Sequence, residues 1–317
     1  MLHVQMLPAH PESFRTAIVL GQNETGAMTI EHAIAHSLPK PWGVVDPRPW
    51  SSAGRDDNAI GEIWYERSGS AAVAPALLLK LLFTDQPLSI QVHPDDAYAQ
   101  SIGLLNGKTE AWYVLSASRE AKVALGLKRR LTPQQMRAAA DDGSIANLIV
   151  WRTVAAGDTV FVPAGTIHAI GKGLVIAEIQ QRSDATFRLF DHGRGRELHI
   201  DSAVAVADAG PAGIQVPSSR LTDSRNLLTS NVLFTFEKID LAPNTAWHLE
   251  ANRETWLLVI GGSARTGSFD VAMGDAVFAQ SDRLNIRSGV LGLSVLLAYT
   301  GELIPELLQH ADMETAQ

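Results

Sequence analysis

The sequence predicts a mainly β protein, with two jelly-roll β-barrels or sandwiches in tandem and a short helical insertion in the first. Three observations carry this. Short β-rich runs alternate with Gly and Pro turns such as Gly157-Asp158, Pro163-Ala164-Gly165 and Gly171-Lys172-Gly173, the pattern of a double-sheet roll. One stretch breaks that pattern: Thr132-Pro133-Gln134-Gln135 offers a Thr cap, Pro at the first helical position and Gln at the third, so short helices are expected over about residues 131–150. Finally, the chain repeats itself. Thr109-Glu110-Ala111-Trp112-Tyr113-Val114-Leu115 aligns with Arg253-Glu254-Thr255-Trp256-Leu257-Leu258-Val259, and Gly157-Asp158-Thr159-Val160-Phe161 with Gly274-Asp275-Ala276-Val277-Phe278. The two offsets differ by close to the length of the helical insertion, as expected if one roll is used twice. The expected division is residues 1–215, an N-terminal segment plus the first roll, and residues 220–317, a smaller second roll, with the Gly/Pro segment 209–219 between them.

Residues 1–39 say little about function. Residues 30–38 read as a short helix with His32 and His36 on one solvated face. The Pro- and Trp-rich run 40–50 is expected to be irregular and packed on a sheet. Residues 61–65 alternate like a strand, and 76–90 form a nearly unbroken apolar run, expected as one buried strand. Pro94, Asp95 and Asp96 suit a helix N-terminus, with Pro94 first. Runs 112–115, 123–127, 159–162, 166–170, 174–181 and 186–190 follow as strands, and Asp201 as the cap of a helix over 202–207.

Composition narrows the function. The 317 residues, 46% hydrophobic and 19% charged, describe a globular protein with room for roughly two cores. A net charge of −8 leaves no basic footprint for nucleic acid or anionic lipid, so an anionic substrate must be met by a few local Lys or Arg. There is no cysteine, which excludes disulfides and thiolate sites and leaves His, carboxylate and amide to hold any metal. Residues 1–15 lack a signal-peptide core, and the longest apolar stretch, 71–83, is interrupted by Pro75 and Lys80; a cytoplasmic chain without membrane contact is expected.

Gln91 and His93 lie two apart, so on a strand their side chains share a face, about 7 Å apart along the backbone. Glu110 and His168 also project from predicted strands, and a roll can bring all four around one pocket. Two imidazoles and a carboxylate suit Zn²⁺, Mn²⁺ or Fe²⁺, with one Zn²⁺ per chain the first choice. A neutral Gln as fourth ligand keeps the site near +1 and the ion a useful Lewis acid. Spacing alone leaves Glu110 open as an ion-pair partner and His168 as a hydrogen-bonded core residue. Alternation puts Lys108 on the face of Glu110 and Trp112. The second copy has Asn285 opposite His168 and only Ala246-Trp247-His248 in place of Gln-x-His, so it is expected to be metal-free.

Four ordered motifs resemble those of class I mannose-6-phosphate isomerases: residues 88–96 around Gln91-Val92-His93, Gly107-Lys108-Thr109-Glu110-Ala111-Trp112-Tyr113, residues 162–170 ending in His168-Ala169-Ile170, and Ser183-Asp184-Ala185-Thr186-Phe187-Arg188-Leu189. Weaker echoes occur at Trp42-Gly43, Gly61-Glu62-Ile63-Trp64 and Arg196-Glu197-Leu198-His199-Ile200, so the resemblance spans about residues 40–205. It implies two cupin-like jelly rolls, a zinc ion on Gln91, His93, Glu110 and His168, and interconversion of mannose 6-phosphate and fructose 6-phosphate through a cis-enediol. It assigns Arg188 to the substrate oxygens and the enediolate charge, Lys108 to the sugar or phosphate, and Ser89 and Asp184 to substrate contacts. Glu178 matches a carboxylate of proton transfer, and by its own chemistry equally a partner of a ligating histidine. Lys172 and Arg182 are local candidates for the phosphate. A monomer or weak homo-oligomer acting on a small phosphorylated sugar is the expected form. Two rivals remain: a cupin metal-dependent dioxygenase with redox-active iron or manganese, and a non-catalytic sugar-binding cupin.

Overall fold

The computed structural model describes residues 29–51, 59–68 and 74–311; the expectations for residues 1–28 lie outside these. The first part runs β1 (Thr29–His32), β2 (Ile34–Val44), β3 (Ile60–Glu66), β4 (Leu77–Thr84), β5 (Ile90–Val92), α1 (Asp96–Ser101), β6 (Glu110–Ala117), β7 (Lys122–Leu127), α2 (Pro133–Asp141), α3 (Ile145–Leu148), β8 (Ile149–Thr153), β9 (Thr159–Val162), β10 (His168–Ile170), β11 (Leu174–Gln181), β12 (Phe187–Phe190) and α4 (Ile200–Val206). The second runs β13 (Ser219–Arg220), β14 (Arg225–Ser230), β15 (Phe234–Leu241), β16 (Ala246–Ala251), β17 (Thr255–Thr266), β18 (Phe269–Ala272), β19 (Ala276–Gln280), β20 (Asp282–Thr300) and β21 (Leu308–His310). The mainly β class stands.

Two antiparallel sheets make the first roll: β2-β3-β4-β11-β6-β9 and β12-β5-β10-β7-β8. Period-2 alternation gives each strand two jobs. On the six-stranded sheet, Leu82, Trp112, Val114, Val160 and Ile176 point inward, where they meet Val123, Leu125 and Ile170 of the five-stranded sheet in one apolar cluster. Its outer residues Ile63, Tyr65, Leu79, Leu81, Ala111, Tyr113 and Ile179 instead pack on Phe234, Phe236, Trp256 and Phe278 of the ten-stranded second sheet. The outer face of the five-stranded sheet, with Ile90, Val92, Ala169, Phe187 and Leu189, is covered by Met136 and Ala140 of α2, Ile145 of α3 and Ala203 of α4. The helical insertion thus covers a sheet face that would otherwise be exposed. Its capping box is formed as the sequence indicates: Thr132 Oγ1 accepts from Gln135 N–H at 3.2 Å, and Gln135 Oε1 from Thr132 N–H at 3.0 Å.

Five local expectations need correcting, one of them that residues 40–50 are irregular: residues 40–44 continue β2. Residues 30–38 are strand, not helix. β1 pairs with β19 of the second sheet and β2 with β3, so His32 and His36 sit on different strands, beside Asp275 and Glu66 respectively. Weak helical periodicity lost to two unpaired sheet edges. The apolar run 76–90 is two strands in two sheets: β4 ends at Thr84, and the Asp85 and Gln86 N–H groups both turn to the Trp42 carbonyl. Pro87 follows, with no N–H to continue a ladder. The N-cap of α1 is Asp95, whose carboxylate accepts from Tyr98 N–H at 2.8 Å, so Pro94 precedes the helix. Likewise His199 occupies the N-cap of α4, and Asp201 lies inside the first turn.

The repeat is real, but shifted. Gly157 and Gly274 both have positive φ, 96° and 92°; each donates to a strand carbonyl, Val114 and Val259, and each neighbouring Asp accepts the N–H two residues before that glycine. Ladder register then places Glu110, opposite Val162, against Thr255, opposite Ala279, and not against Glu254. A one-residue slip reverses every side chain. Trp112 therefore faces the interior of the first roll, whereas Trp256 faces the packing between sheets. The Gln91–His168 pair has its counterpart in His248–Asn285, joined by a 2.7 Å hydrogen bond on an exposed face.

Candidate metal centre

The six-stranded sheet brings Glu110 into the roll, and the five-stranded sheet brings His168 and Gln91, which are direct cross-strand partners. His93 follows β5 by one residue. Among the described residues, His93, Glu110 and His168 form the one group of acidic, His or Cys side chains able to hold a metal, with ligand atoms all within 4.8 Å of one another. Each is 1% exposed. The imidazole Nε2 atoms of His93 and His168 both lie 3.4 Å from the Glu110 carboxylate.

The tautomers are set from outside the cluster. His93 Nδ1 donates to the Ala185 carbonyl at 2.8 Å and His168 Nδ1 to the Thr166 carbonyl at 2.9 Å, which turns both Nε2 lone pairs inward. Burial lowers both histidines; His93 is carried down to about 3, with the Lys108 ammonium as the next cause. They are neutral near pH 7. Burial alone would raise Glu110, but Lys108 at 3.0 Å, then His93 and His168, together more than offset it and hold the carboxylate well below its ordinary range. Two neutral imidazole lone pairs turned toward one buried, ionised carboxylate fit a divalent cation.

The other predicted residues divide. Gln91 lies at the cluster, its Nε2 3.3 Å from His168 Nε2, while its Oε1 accepts from Ser89 at 2.9 Å. Lys108 is 5% exposed and donates to His93 Nε2 at 2.9 Å, so it belongs to the centre. Arg188 stands directly across from Gln91; it is half-buried, and its Nε is buried without a hydrogen-bond partner. Burial, and then Arg196, lower its guanidinium. Asp184 is exposed at the same end. Glu178 is 2% exposed and bound to Trp112 Nε1 at 3.0 Å and Lys80 Nζ at 2.9 Å, not to a histidine. Burial, then the Glu110 charge, push it up. Arg182 turns away to Glu66 at 3.0 Å, and Lys172 lines a separate cavity of about 360 Å³ with Trp151, Lys122 and His192.

Sequence reasoning passed over the charges behind the cluster. Lys80 is 4% exposed and held charged against burial by Glu178 and Glu62. Glu62 in turn accepts from Trp64 Nε1 at 2.7 Å and meets Lys40 at 3.3 Å. The signal was present: a single lysine inside the apolar run Leu77–Thr84 demands a buried partner. Asp191, 5% exposed and clamped by Arg194 and Arg196, was missed as well; Arg194 also donates to the Pro87 carbonyl at 2.8 Å, bracing the approach to Ser89.

No protein-family model matches the chain. Over 174 residues it is 39% identical to mannose-6-phosphate isomerase of Streptococcus mutans, covering 51% of this chain and 54% of the relative. Over 150 residues it is 40% identical to a mannose-6-phosphate isomerase of Bacillus subtilis, covering 45% of each. The chain thus spans about half the length of the curated relatives it matches. Among solved structures, the mannose 6-phosphate isomerase of Bacillus subtilis superposes with a TM-score of 0.74 at 23% identity, covering 85% of this chain and 99% of that one. A variant of phosphomannose isomerase from Salmonella typhimurium superposes at 0.67 and 15% identity, covering 86% and 100%. At these identities the superpositions establish a shared fold. The family resemblance read from the motifs is borne out by relatives of that name.

Proposed function

We propose that this chain is a zinc-dependent aldose–ketose isomerase that interconverts mannose 6-phosphate and fructose 6-phosphate through a cis-enediol. The observation that carries the reading is the buried meeting of His93, Glu110, His168 and Lys108, in a chain 39% identical over 174 residues to a named isomerase. His93, Glu110 and His168 would hold the metal; Gln91 would join them by rotating its amide to present Oε1 in place of Nε2. When bound, zinc supplies Lewis-acid stabilisation of negative charge on sugar oxygens.

The protein's own groups account for the rest. Isomerisation removes a proton from C2, returns one to C1, and moves a hydroxyl proton from O2 to O1, with no net gain or loss of atoms. Glu178 is the proposed carrier, since burial and the Glu110 charge favour its protonated form while the Lys80 ion pair favours the carboxylate, so both states are within reach. Arg188 holds the sugar oxygens and stabilises the enediolate with a guanidinium that has an N–H to spare. Lys108, buried beside Glu110, would contact the sugar or phosphate; Ser89 fixes Gln91, and exposed Asp184, whose charge acts on Arg188, would contact the substrate. Burial of the centre excludes the water that would compete for the enediol.

The test is a coupled assay on mannose 6-phosphate with zinc-loaded protein, alongside metal analysis and the His93→Ala variant. Turnover in the wild type, with zinc and activity lost together in His93→Ala, is expected. A zinc-replete wild type that does not turn over mannose 6-phosphate sinks the reading, and an active preparation carrying iron without zinc favours oxygen chemistry instead.

A further inference from the structure

We infer that His199 is a positioning residue for Arg188, acting on its backbone from the open edge of β12. The inference rests on the reading of Arg188 as a substrate-holding residue. Among the described residues, β12 is the terminal strand of its sheet, paired only with β5. Its outer edge at Arg188 is not left bare: His199 N–H donates to the Arg188 carbonyl at 2.8 Å, and Arg188 N–H donates to His199 Nδ1 at 3.3 Å. One histidine, through its backbone and its ring, thus reproduces the two hydrogen bonds of a further strand.

This contact decides how Arg188 meets Gln91. In an antiparallel ladder a residue points both its N–H and C=O to one side only, alternating along the strand. Because both groups of Arg188 turn out to His199, Arg188 and Gln91 form a non-hydrogen-bonded pair, the kind that brings opposed Cα atoms to about 4.5 Å and their side chains closest. The guanidinium is thereby fixed across from a residue that itself touches His168. His199 is anchored in turn: its carbonyl accepts the Ala203 N–H that opens α4, and its ring packs against Phe187 at 6.3 Å. Its ring makes no bond to cap the helix. Among the described residues, the Arg188 peptide is the hydrogen-bond partner of that ring. Accepting the bond requires a neutral imidazole with its proton on Nε2.

The experiment is a double-mutant cycle on zinc-loaded protein with mannose 6-phosphate. His199→Leu keeps the packing on Phe187 and removes the acceptor; kcat/KM is expected to fall about tenfold or more, mainly in kcat, as displaced catalytic groups do. His199→Asn restores an acceptor oxygen and should recover most of the loss. On an Arg188→Ala background, His199→Leu should cost nothing further, because its effect passes through Arg188. Equal losses in the Leu and Asn variants, or additive losses in the cycle, overturn the inference. Should the Leu variant not fold, His199→Ala takes its place with the same criteria. An Arg188→Ala enzyme with wild-type turnover removes the assignment of Arg188 and this inference with it.

Discussion

Glu254 offers a prediction whose size follows from three distances. Its carboxylate accepts from Ala76 N–H at 2.6 Å, Leu77 N–H at 2.8 Å and Trp256 Nε1 at 3.0 Å, tying the first residue of β4 to the second sheet. Ala76 is exposed, so water replaces the carboxylate there. Leu77 and Trp256 are 1% and 0% exposed, and Glu254→Ala leaves both donors stranded. At about 1–3 kcal/mol for each buried unpaired donor, the variant should lose about 2–6 kcal/mol of stability. Glu254→Gln keeps one carbonyl oxygen and should lose about 1–2 kcal/mol. Urea titration at fixed zinc measures both, with metal content and kcat/KM determined below the transition. Those two should be unchanged in folded protein, because Glu254 faces away from the centre. A loss under about 1 kcal/mol in the Ala variant, or zinc leaving with the side chain, would refute the reasoning.

Arg188→Ala should retain its zinc and lose most turnover in the coupled assay; metal loss comparable to that of His93→Ala would show Arg188 to be structural. A Cβ at Gly107 would lie 2.4 Å from the Asp95 carbonyl carbon and 2.6 Å from the Pro94 oxygen that accepts Lys108 N–H. Gly107→Ala should therefore push Lys108 out of place, costing about 1–3 kcal/mol and at least tenfold in kcat/KM; wild-type values in both a melt and the assay would contradict this. Metal-free protein should be acid-sensitive through His93. Its folded pKa, about 3, is below the ordinary histidine value, so the unfolded chain binds the extra proton and stability falls as pH drops below about 6.5. Between about pH 6.5 and pH 5 the loss from this one group should be about 2 kcal/mol. Urea melts of metal-free wild type and His93→Gln check it: equal slopes against pH would show the ring is not buried neutral.

Much of the roll is legible from local pattern. The strands at Thr159–Val162 and Leu174–Gln181 fall where alternation and turn residues place them, and Thr132 and Gln135 mark the start of α2 by residue type and spacing alone. Residues 30–38 depart from their helical pattern because they are split between the end of β1 and the start of β2, and each piece has too few positions to separate period 2 from period 3.6. The partners that decide the matter, β19 and β3, lie elsewhere in the chain. His199 is visible in the sequence only as part of a motif. Its contact with Arg188 joins a strand edge to a helix start, and no spacing rule reports it.

What the sequence determined by itself is which side chains share a face: Gln91 with His93, and Lys108 with Glu110 and Trp112. These follow from the pleat, a property of each strand alone. The tertiary structure decided register. Glu110 and Glu254 look alike in an alignment, yet one ladder step separates their places, so one carboxylate enters a buried cluster and the other clamps β4 from outside. Register is set by non-local pairing and by which face can be buried, and a slip of one residue exchanges the two faces.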